Sequence, residues 1–106
     1  MQALDALVDP TRRRIVELLA EHEYDAGELA SHFAVSRPAV SRHLRVLRET
    51  GLVRWRGVAQ RRVYSLEPAP LAELDAWLAR YRPFWSDRLD ALETQLRHPR
   101  RREEKR

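Results

Sequence analysis

The sequence predicts a mainly α-helical domain that carries one small β-hairpin. Three observations lead there. Apolar residues recur at helical spacing in five segments, several of them opened by an N-cap signal. The apolar period changes from helical to strand-like between residues 52 and 66. Basic charge is gathered in the central third of the chain, with acidic stretches on both sides.

The first helix is expected over Ala3–Val8, with Leu4, Leu7 and Val8 as an apolar edge. Asp9 then reads as an N-cap and Pro10 as the first helical residue, where a missing N–H costs nothing. That second helix runs to about Glu21 and buries Ile15, Val16, Leu18 and Leu19. Asp25 caps a third, carrying Leu29, Ala30 and Phe33 and stopping near Ala34, because Ser36 is the next N-cap. At 100° per residue from Ser36, Val40, Leu44 and Leu47 fall within about 60° of one another. Pro38, Arg42 and Arg45 gather on the opposite side with Ser41 beside them, Val46 points outward and His43 lies on the flank. Gly51 supplies the left-handed residue that ends this helix.

"LVRWR" and "RRVYSL", separated by "GVAQ", are short and rich in Val, Trp, Tyr and Arg, and read as a two-stranded hairpin. A lone hairpin is marginal in water, so it is expected to pack on the helices and project its tip. After Pro68 and Pro70 a fifth helical pattern places Leu71, Leu74, Trp77, Leu78, Tyr81, Phe84, Trp85, Leu89, Leu92 and Leu96 within an arc of about 140°. As one helix it would span roughly 40 Å, with Pro83 as a kink. So wide an apolar face exceeds what the small body can cover. A two-fold dimer is the economical answer, with Leu4 and Leu7 of the first helix and Leu74, Trp77, Leu78, Tyr81, Phe84, Trp85, Leu89, Leu92 and Leu96 of the fifth at its interface. A purely internal core is the alternative.

Composition narrows the function. At 106 residues the chain is expected to form one domain with a modest core, and the alternative to a dimer is a small monomer. No run of about 18 apolar residues occurs, and "MQALDALVDP" has neither a basic start nor a long apolar stretch; the expectation is a cytoplasmic protein without membrane span or secretion signal. With no cysteine, disulfides, thiolate metal sites and cysteine nucleophiles are excluded. Net charge is +4, distributed as −4 over residues 1–35, +7 over 36–66, −2 over 67–99 and +3 over 100–106. A basic centre between acidic flanks is the footprint of a polyanion partner. All but one of the 20 basic residues are Arg, which suits phosphate and guanine edges, although a bias in composition alone would look the same.

The order helix, helix, tight turn, amphipathic helix, basic hairpin is that of a winged helix-turn-helix. "DPTRRRIVELL", "ELASHFAVSRPAVSRHLRVLRETGLV" and "RRVYSL" resemble the ArsR/SmtB repressors over nearly the whole chain. The later "WLARYRPFWSDRLDALE" resembles the metal-independent branch of SdpR-like autorepressors and SRPBCC-associated regulators. The resemblance implies five helices with the wing between the fourth and fifth, and a dimer through the first and fifth. It makes residues 29–33 part of the supporting helix and 36–48 the recognition helix. By position it implies DNA contacts from Ser36, Arg37, Pro38, Ser41, Arg42, His43 and Arg45, with Arg56, Arg61 and Arg62 of the wing at the adjacent minor groove or backbone. Arg42 and Arg45 suit base edges, Ser36, Ser41 and His43 suit phosphate, and for His43 a role within the fold is the alternative. Residues 1–97 would be the DNA-binding and dimerisation domain and 98–106 a basic, disordered tail. One departure concerns the wing: the family commonly has Gly near the tip, whereas Gly57 comes early here and the tip reads Val58, Ala59, Gln60.

Many members of that family sense metals, yet the positions of its thiolate site hold Asp25 and Gly27, and those of its other site hold Asp87, Leu89, Arg100 and Glu103. Such a set cannot hold Zn²⁺ tetrahedrally, and His22, His32, His43 and His98 are scattered. No metal and no cofactor is expected. Catalysis is not expected either: Ser41 and His43 are about 200° apart on their helix, and no glycine-rich phosphate loop occurs. The expected partners are double-stranded DNA and a second copy, with no membrane. A homodimeric, sequence-specific repressor on a pseudo-palindromic operator, acting by steric exclusion of RNA polymerase with its own promoter as one candidate target, stands against two other readings, an architectural DNA-coating protein and a winged-helix module for proteins, the last disfavoured by the central charge. A small-molecule inducer in the aromatic cluster is left open.

Overall fold

The computed structural model describes residues 2–97. Met1 and the expected tail, 98–106, lie outside them. The chain forms two compact units, Met1–Leu74 and Asp75–Arg106. The first contains α1 (Gln2–Ala6), α2 (Pro10–Glu21), β1 (Tyr24–Asp25), α3 (Ala26–Ala30), α4 (Arg37–Glu49), β2 (Val53–Val58), β3 (Arg61–Leu66) and the start of α5 (Pro68–Ala79); α6 (Arg82–Arg97) lies in the second. The expected class, mainly helical with a small hairpin wing, is the one observed.

α1 stops two residues early. Pro10 disfavours helical backbone at the residue before it, and Asp9 is extended at φ −75° and ψ 128°. The helix therefore buries Ala3 and Ala6, leaves Val8 70% exposed, and half-buries Leu7 against the core rather than keeping it on a free edge. Asp9 caps α2, its Oδ2 accepting from the Arg12 backbone N–H at 3.0 Å. Asp25 caps α3 through a full capping box: the Glu28 N–H donates to Asp25 Oδ1 and the Asp25 N–H donates to Glu28 Oε1, both at 2.8 Å. α3 ends at Ala30, four residues before the expected stop, with Ser31 as its C-cap.

Ile15, Leu18 and Leu19 of α2, Leu29 of α3, Val40, Leu44 and Leu47 of α4 and Leu52 after it form the core. Each is nearly inaccessible, and a fully buried Leu contributes about 1.5–3 kcal/mol relative to an exposed one. α4 ends in a Schellman turn in which the Gly51 N–H donates to the Arg48 carbonyl at 3.0 Å and the Leu52 N–H to the Leu47 carbonyl at 2.9 Å. Gly51 takes φ +82°, a left-handed conformation that a side chain would strain.

The hairpin is longer than expected and is not alone. β2 continues through Gly57 and Val58, so the tip is only Ala59–Gln60, with Ala59 left-handed at φ 55°. β1 adds a third antiparallel strand in the order β1-β3-β2, pairing Tyr24 with Tyr64 and Asp25 with Val63. The hairpin is thereby anchored at the base of the helical body.

The C-terminal pattern is two helices, not one kinked helix. The last α-helical residue of α5 is Ala79, and the Arg80 and Tyr81 N–H groups donate to the Trp77 and Leu78 carbonyls in tightened i−3 bonds. α6 then starts with Arg82 and Pro83, so the proline that cannot donate to Ala79 occupies a helix's first turn, where no donor is needed.

The Asp9 cap makes stability depend on pH. The Arg12 backbone N–H holds this carboxyl below its ordinary value of 3.8, burial opposes that, and His43 and Arg12 add to it. A carboxyl that binds its proton less tightly in the folded state stabilises fully above the unfolded value and loses the benefit as pH falls below that value and through the lowered folded one. Asp9→Ala should therefore cost about 1 kcal/mol at pH 7 in urea unfolding, and the gap from wild type should shrink when both are measured at pH 3.

Candidate nucleic-acid interface

The core contacts of Val40, Leu44 and Leu47 fix the rotation of α4, and so decide what it presents. Ser41, Arg42 and Arg45 are exposed on the outer face, and Arg37 and Pro38 are exposed in the first turn. Ser36 is the N-cap, its Oγ accepting from the Ala39 N–H at 3.3 Å, so its side chain is already engaged. Arg48, one turn beyond Arg45, completes this row and is absent from the contact set that the family pattern implies. Stepping 100° per residue places it about 60° from Arg45, so the same periodicity could have found it.

The opposite flank of α4 turns inward. His43 Nδ1 lies 3.9 Å from Asp9 Oδ2 and 3.4 Å from Arg12 Nη1, and its side chain is only 23% exposed. This is the alternative role within the fold, a polar link between α4 and the start of α2. Val46 does not point outward: it is half-buried against the core beside Ala6 and Arg12, because α1 and the start of α2 cover that flank.

The sheet register divides the wing arginines by face. Trp55 stands opposite Tyr64, and Arg62 is two residues from Tyr64, so all three share the face toward α4. Of these, Arg62 and Tyr64 close a groove of about 310 Å³ against Ser41, Arg42, Arg45 and Arg48. Arg54, Arg56 and Arg61 alternate onto the other face and meet carboxylates. Arg56 makes a two-pronged pair with Glu23 at 2.6 and 2.9 Å, Arg61 donates to Asp25 Oδ2 at 3.0 Å, and Arg54 lies 3.4 Å from Glu67. The expected wing set thus splits: Arg62 joins the α4 row, while Arg56 and Arg61 pair with acids beside β1. Arg37, Arg42, Arg45, Arg48 and Arg62 make no ion pair among the described residues. Their guanidinium groups offer forks of N–H donors suited to phosphate and guanine acceptors.

The family's metal-site positions hold residues of mixed chemistry. Asp25 caps α3 and pairs with Arg61, Gly27 has no ligand atom, Asp87 and Leu89 lie on α6, and Arg100 and Glu103 fall outside the described residues. His22 and His32 lie against the Tyr24 ring, at centroid distances of 4.1 and 5.5 Å, and His98 is outside the described residues. Among the described residues no three His, Asp or Glu side chains converge on a point, and no helix is long and apolar enough to cross a membrane.

The residues expected at a dimer interface are largely uncovered in the single chain. Leu4 is exposed; Leu74, Trp77 and Leu78 are half-buried; Tyr81, Phe84, Trp85, Leu89, Leu92 and Leu96 are exposed, with Leu96 at 72%.

The Glu23–Arg56 pair has a direct signature. The hydrogen bonds from Arg56, reinforced by its charge, hold the Glu23 carboxyl below its ordinary value of 4.5, and Glu23 in turn raises Arg56. Removing the guanidinium with Arg56→Ala should return Glu23 to near 4.5, read from its side-chain carboxyl shift in an NMR titration.

Comparison with known proteins agrees with this geometry. Residues 9–54, from the α2 cap to the start of the wing, match the family described as "Bacterial regulatory protein, arsR family". The HTH-type transcriptional regulator Rv2034 of Mycobacterium tuberculosis is 51% identical over 85 residues, covering 80% of this chain and 77% of that one. The transcriptional repressor SdpR of Bacillus subtilis is 34% identical over 76 residues, covering 72% and 84%. Among solved structures, that of a possible transcriptional regulator for arsenical resistance superposes with TM-score 0.74 at 44% identity, covering 86% of this chain and 95% of that one. The chain belongs to the ArsR family of winged helix-turn-helix, DNA-binding transcription regulators, and is not an enzyme.

Proposed function

We propose that the protein is a cytoplasmic, homodimeric repressor that reads a pseudo-palindromic operator and has no metal-sensing site of its own. The observation that carries the reading is the row of unpaired arginines on the outer face of α4, facing a groove whose far wall is the wing. In a two-fold dimer two such helices would enter successive major grooves about 34–36 Å apart. Arg42 and Arg45 are the base readers, since a guanidinium can donate both of its forked N–H groups to guanine O6 and N7. Ser36, Arg37, Pro38 and Ser41 line the approach to the backbone, where contacts set register without reading sequence. His43 is better suited to holding α4 against Asp9 than to touching DNA. Among the wing residues Arg62 is supported as a DNA contact by its position on the groove with α4, whereas Arg56 and Arg61 would reach a duplex only by giving up their carboxylates. Repression, by excluding polymerase from a promoter, is supported by the relatives named as repressors, SdpR and the biofilm growth-associated repressor of Xylella fastidiosa, although another, HlyU of Vibrio cholerae, is named an activator.

On an operator enriched from a random DNA pool, Arg42→Ala and Arg45→Ala should each cost about 1–3 kcal/mol in binding and relax the preference at one base pair per half-site. Loss of affinity with base preference intact would move these residues to the backbone. Equal affinity of the wild type for operator and random duplex would favour an architectural role.

The dimer rests on α6. Trp85, Leu89, Leu92 and Leu96 are spaced by four, three and four residues and fall within about 60° of one another, a seam for a second helix. Tyr81, just before α6, and Phe84 in its first turn are the exposed apolar residues beside this seam, and Leu4 of α1 is exposed in the first unit. Leu92→Arg, on an exposed position, should leave the helical signal of the Met1–Leu74 unit unchanged and convert the dimer to a monomer in sedimentation equilibrium. A variant that sediments like wild type would remove α6 from the interface.

A further inference from the structure

Beside the groove, paired with Tyr64, stands an aromatic residue whose role neither the fold nor the family match explains. Trp55 lies on the inner face of the wing, 37% exposed although it is the largest side chain on that face. Two guanidinium groups lie over its ring, that of Arg62 at 4.4 Å from the centroid and that of Arg48 at 6.0 Å. One arginine comes from the wing and the other from the last turn of α4.

An exposed arginine that binds phosphate must first lose much of its rotamer freedom. A carboxylate partner orders the side chain but occupies the N–H edge that a phosphate would use, and Arg56 and Arg61 are ordered in that way. An aromatic ring orders it differently: the ring attracts the face of the guanidinium and leaves the in-plane N–H donors unoccupied. Arg62 and Arg48 make no ion pair among the described residues, so their donors stay open at the edge of the groove.

We propose that Trp55 is a positioning residue that holds Arg48 and Arg62 as a two-arginine clamp for one stretch of DNA backbone, bridging the recognition helix and the wing. Trp55 need not touch DNA; it acts through the two arginines. The inference rests on the DNA-binding reading above and adds a function for Trp55 and Arg48. It also explains how the wing contributes when three of its arginines are tied to acids.

The test compares Trp55→Leu, which keeps apolar bulk and removes the π face, with Trp55→Phe, which keeps a π face. Affinity for the enriched operator is measured as a function of salt at a temperature where circular dichroism shows every variant folded. Wild type should bind with a steep salt dependence. Trp55→Leu should bind several-fold more weakly, with a log–log salt slope shallower by about one to two, the number of phosphates no longer neutralised. Trp55→Phe should stay close to wild type in slope. Adding Trp55→Leu to Arg48→Ala with Arg62→Ala should weaken binding no further than that pair alone. An unchanged slope and affinity in Trp55→Leu, or equal losses in the Leu and Phe variants, would overturn the clamp and leave the DNA reading standing. Absence of salt-dependent binding by wild type would instead overturn the DNA reading itself.

Discussion

The burial of one stripe of α4 governs the rest of this molecule. Val40, Leu44 and Leu47 are all but inaccessible, and they pack with Ile15, Leu18, Leu29 and Leu52 in the single hydrophobic cluster of the first unit. Interiors pack at near-crystalline density, so a helix held by three such residues has little freedom to rotate. Everything else about α4 follows from that angle. One flank is pressed toward α1 and α2, where Val46 is covered and His43 meets Asp9. The other faces the wing and places Arg48 near Trp55. What remains, Ser41, Arg42 and Arg45, has no neighbour to satisfy and is presented. An outward face rich in charge is the normal complement of an amphipathic helix; what separates this one from a solvated surface is the second wall that the wing supplies.

That wall is set by local geometry. The left-handed Gly51 turns the chain within two residues, Leu52 drops into the core, and β2 starts immediately at Val53. The strand's alternation then decides the fate of each arginine. Positions in step with Trp55 and Tyr64 face the groove, and positions out of step face Glu23, Asp25 and Glu67. The +7 charge of residues 36–66 therefore overstates what a polyanion would meet, since three of the eight arginines are already balanced by acids from outside that segment. Exposed pairs of this kind add little to stability. Their consequence here is distribution: positive charge is cancelled on the outer face of the wing and kept in the groove. Asp25 shows how compactly this is done, since one side chain caps α3 through Oδ1 and pairs Arg61 through Oδ2, while its backbone belongs to β1.

Much of this was legible in the sequence where the signal is local. Asp9 before Pro10, Asp25 three residues before Glu28, and Ser36 before Arg37–Pro38 are start signals whose physics involves only a few neighbouring atoms, and each helix begins where they place it. The α4 core stripe was legible because 3.6-residue periodicity survives any tertiary context. Non-local features were not. β1 is two residues long, too short for alternation to show, and exists because β3 offers it an unpaired edge. The continuous apolar pattern from Leu71 to Leu96 hid a break, since Pro83 fits both a kink and a first turn, and the apolar spacing runs across either. The pairing of Arg56 with Glu23 and Arg61 with Asp25 spans more than thirty residues, and nothing in the spacing marks it. Of the residues assigned to DNA from the family pattern, the structure gathers Ser41, Arg42, Arg45 and Arg62 around one groove and occupies His43, Arg56 and Arg61 elsewhere.

The second unit raises a constraint of a different kind. α6 has sixteen residues, a length at which an isolated helix is marginal in water, and none of them is buried in the single chain. Its four-three-four apolar spacing concentrates Trp85, Leu89, Leu92 and Leu96 on one side, with Asp87, Asp90 and Glu93 off that stripe. In the proposed dimer the same seam supplies the burial that this helix lacks and brings two recognition helices into one assembly. Order in the C-terminal unit and the ability to grip two half-sites then become one equilibrium, governed by protein concentration. A single recognition helix would have only half the contacts, so occupancy of the operator would rise more steeply than linearly with the amount of protein. For a repressor acting on its own promoter, that steepness would sharpen the level at which synthesis is shut off, with no ligand or metal required to set it.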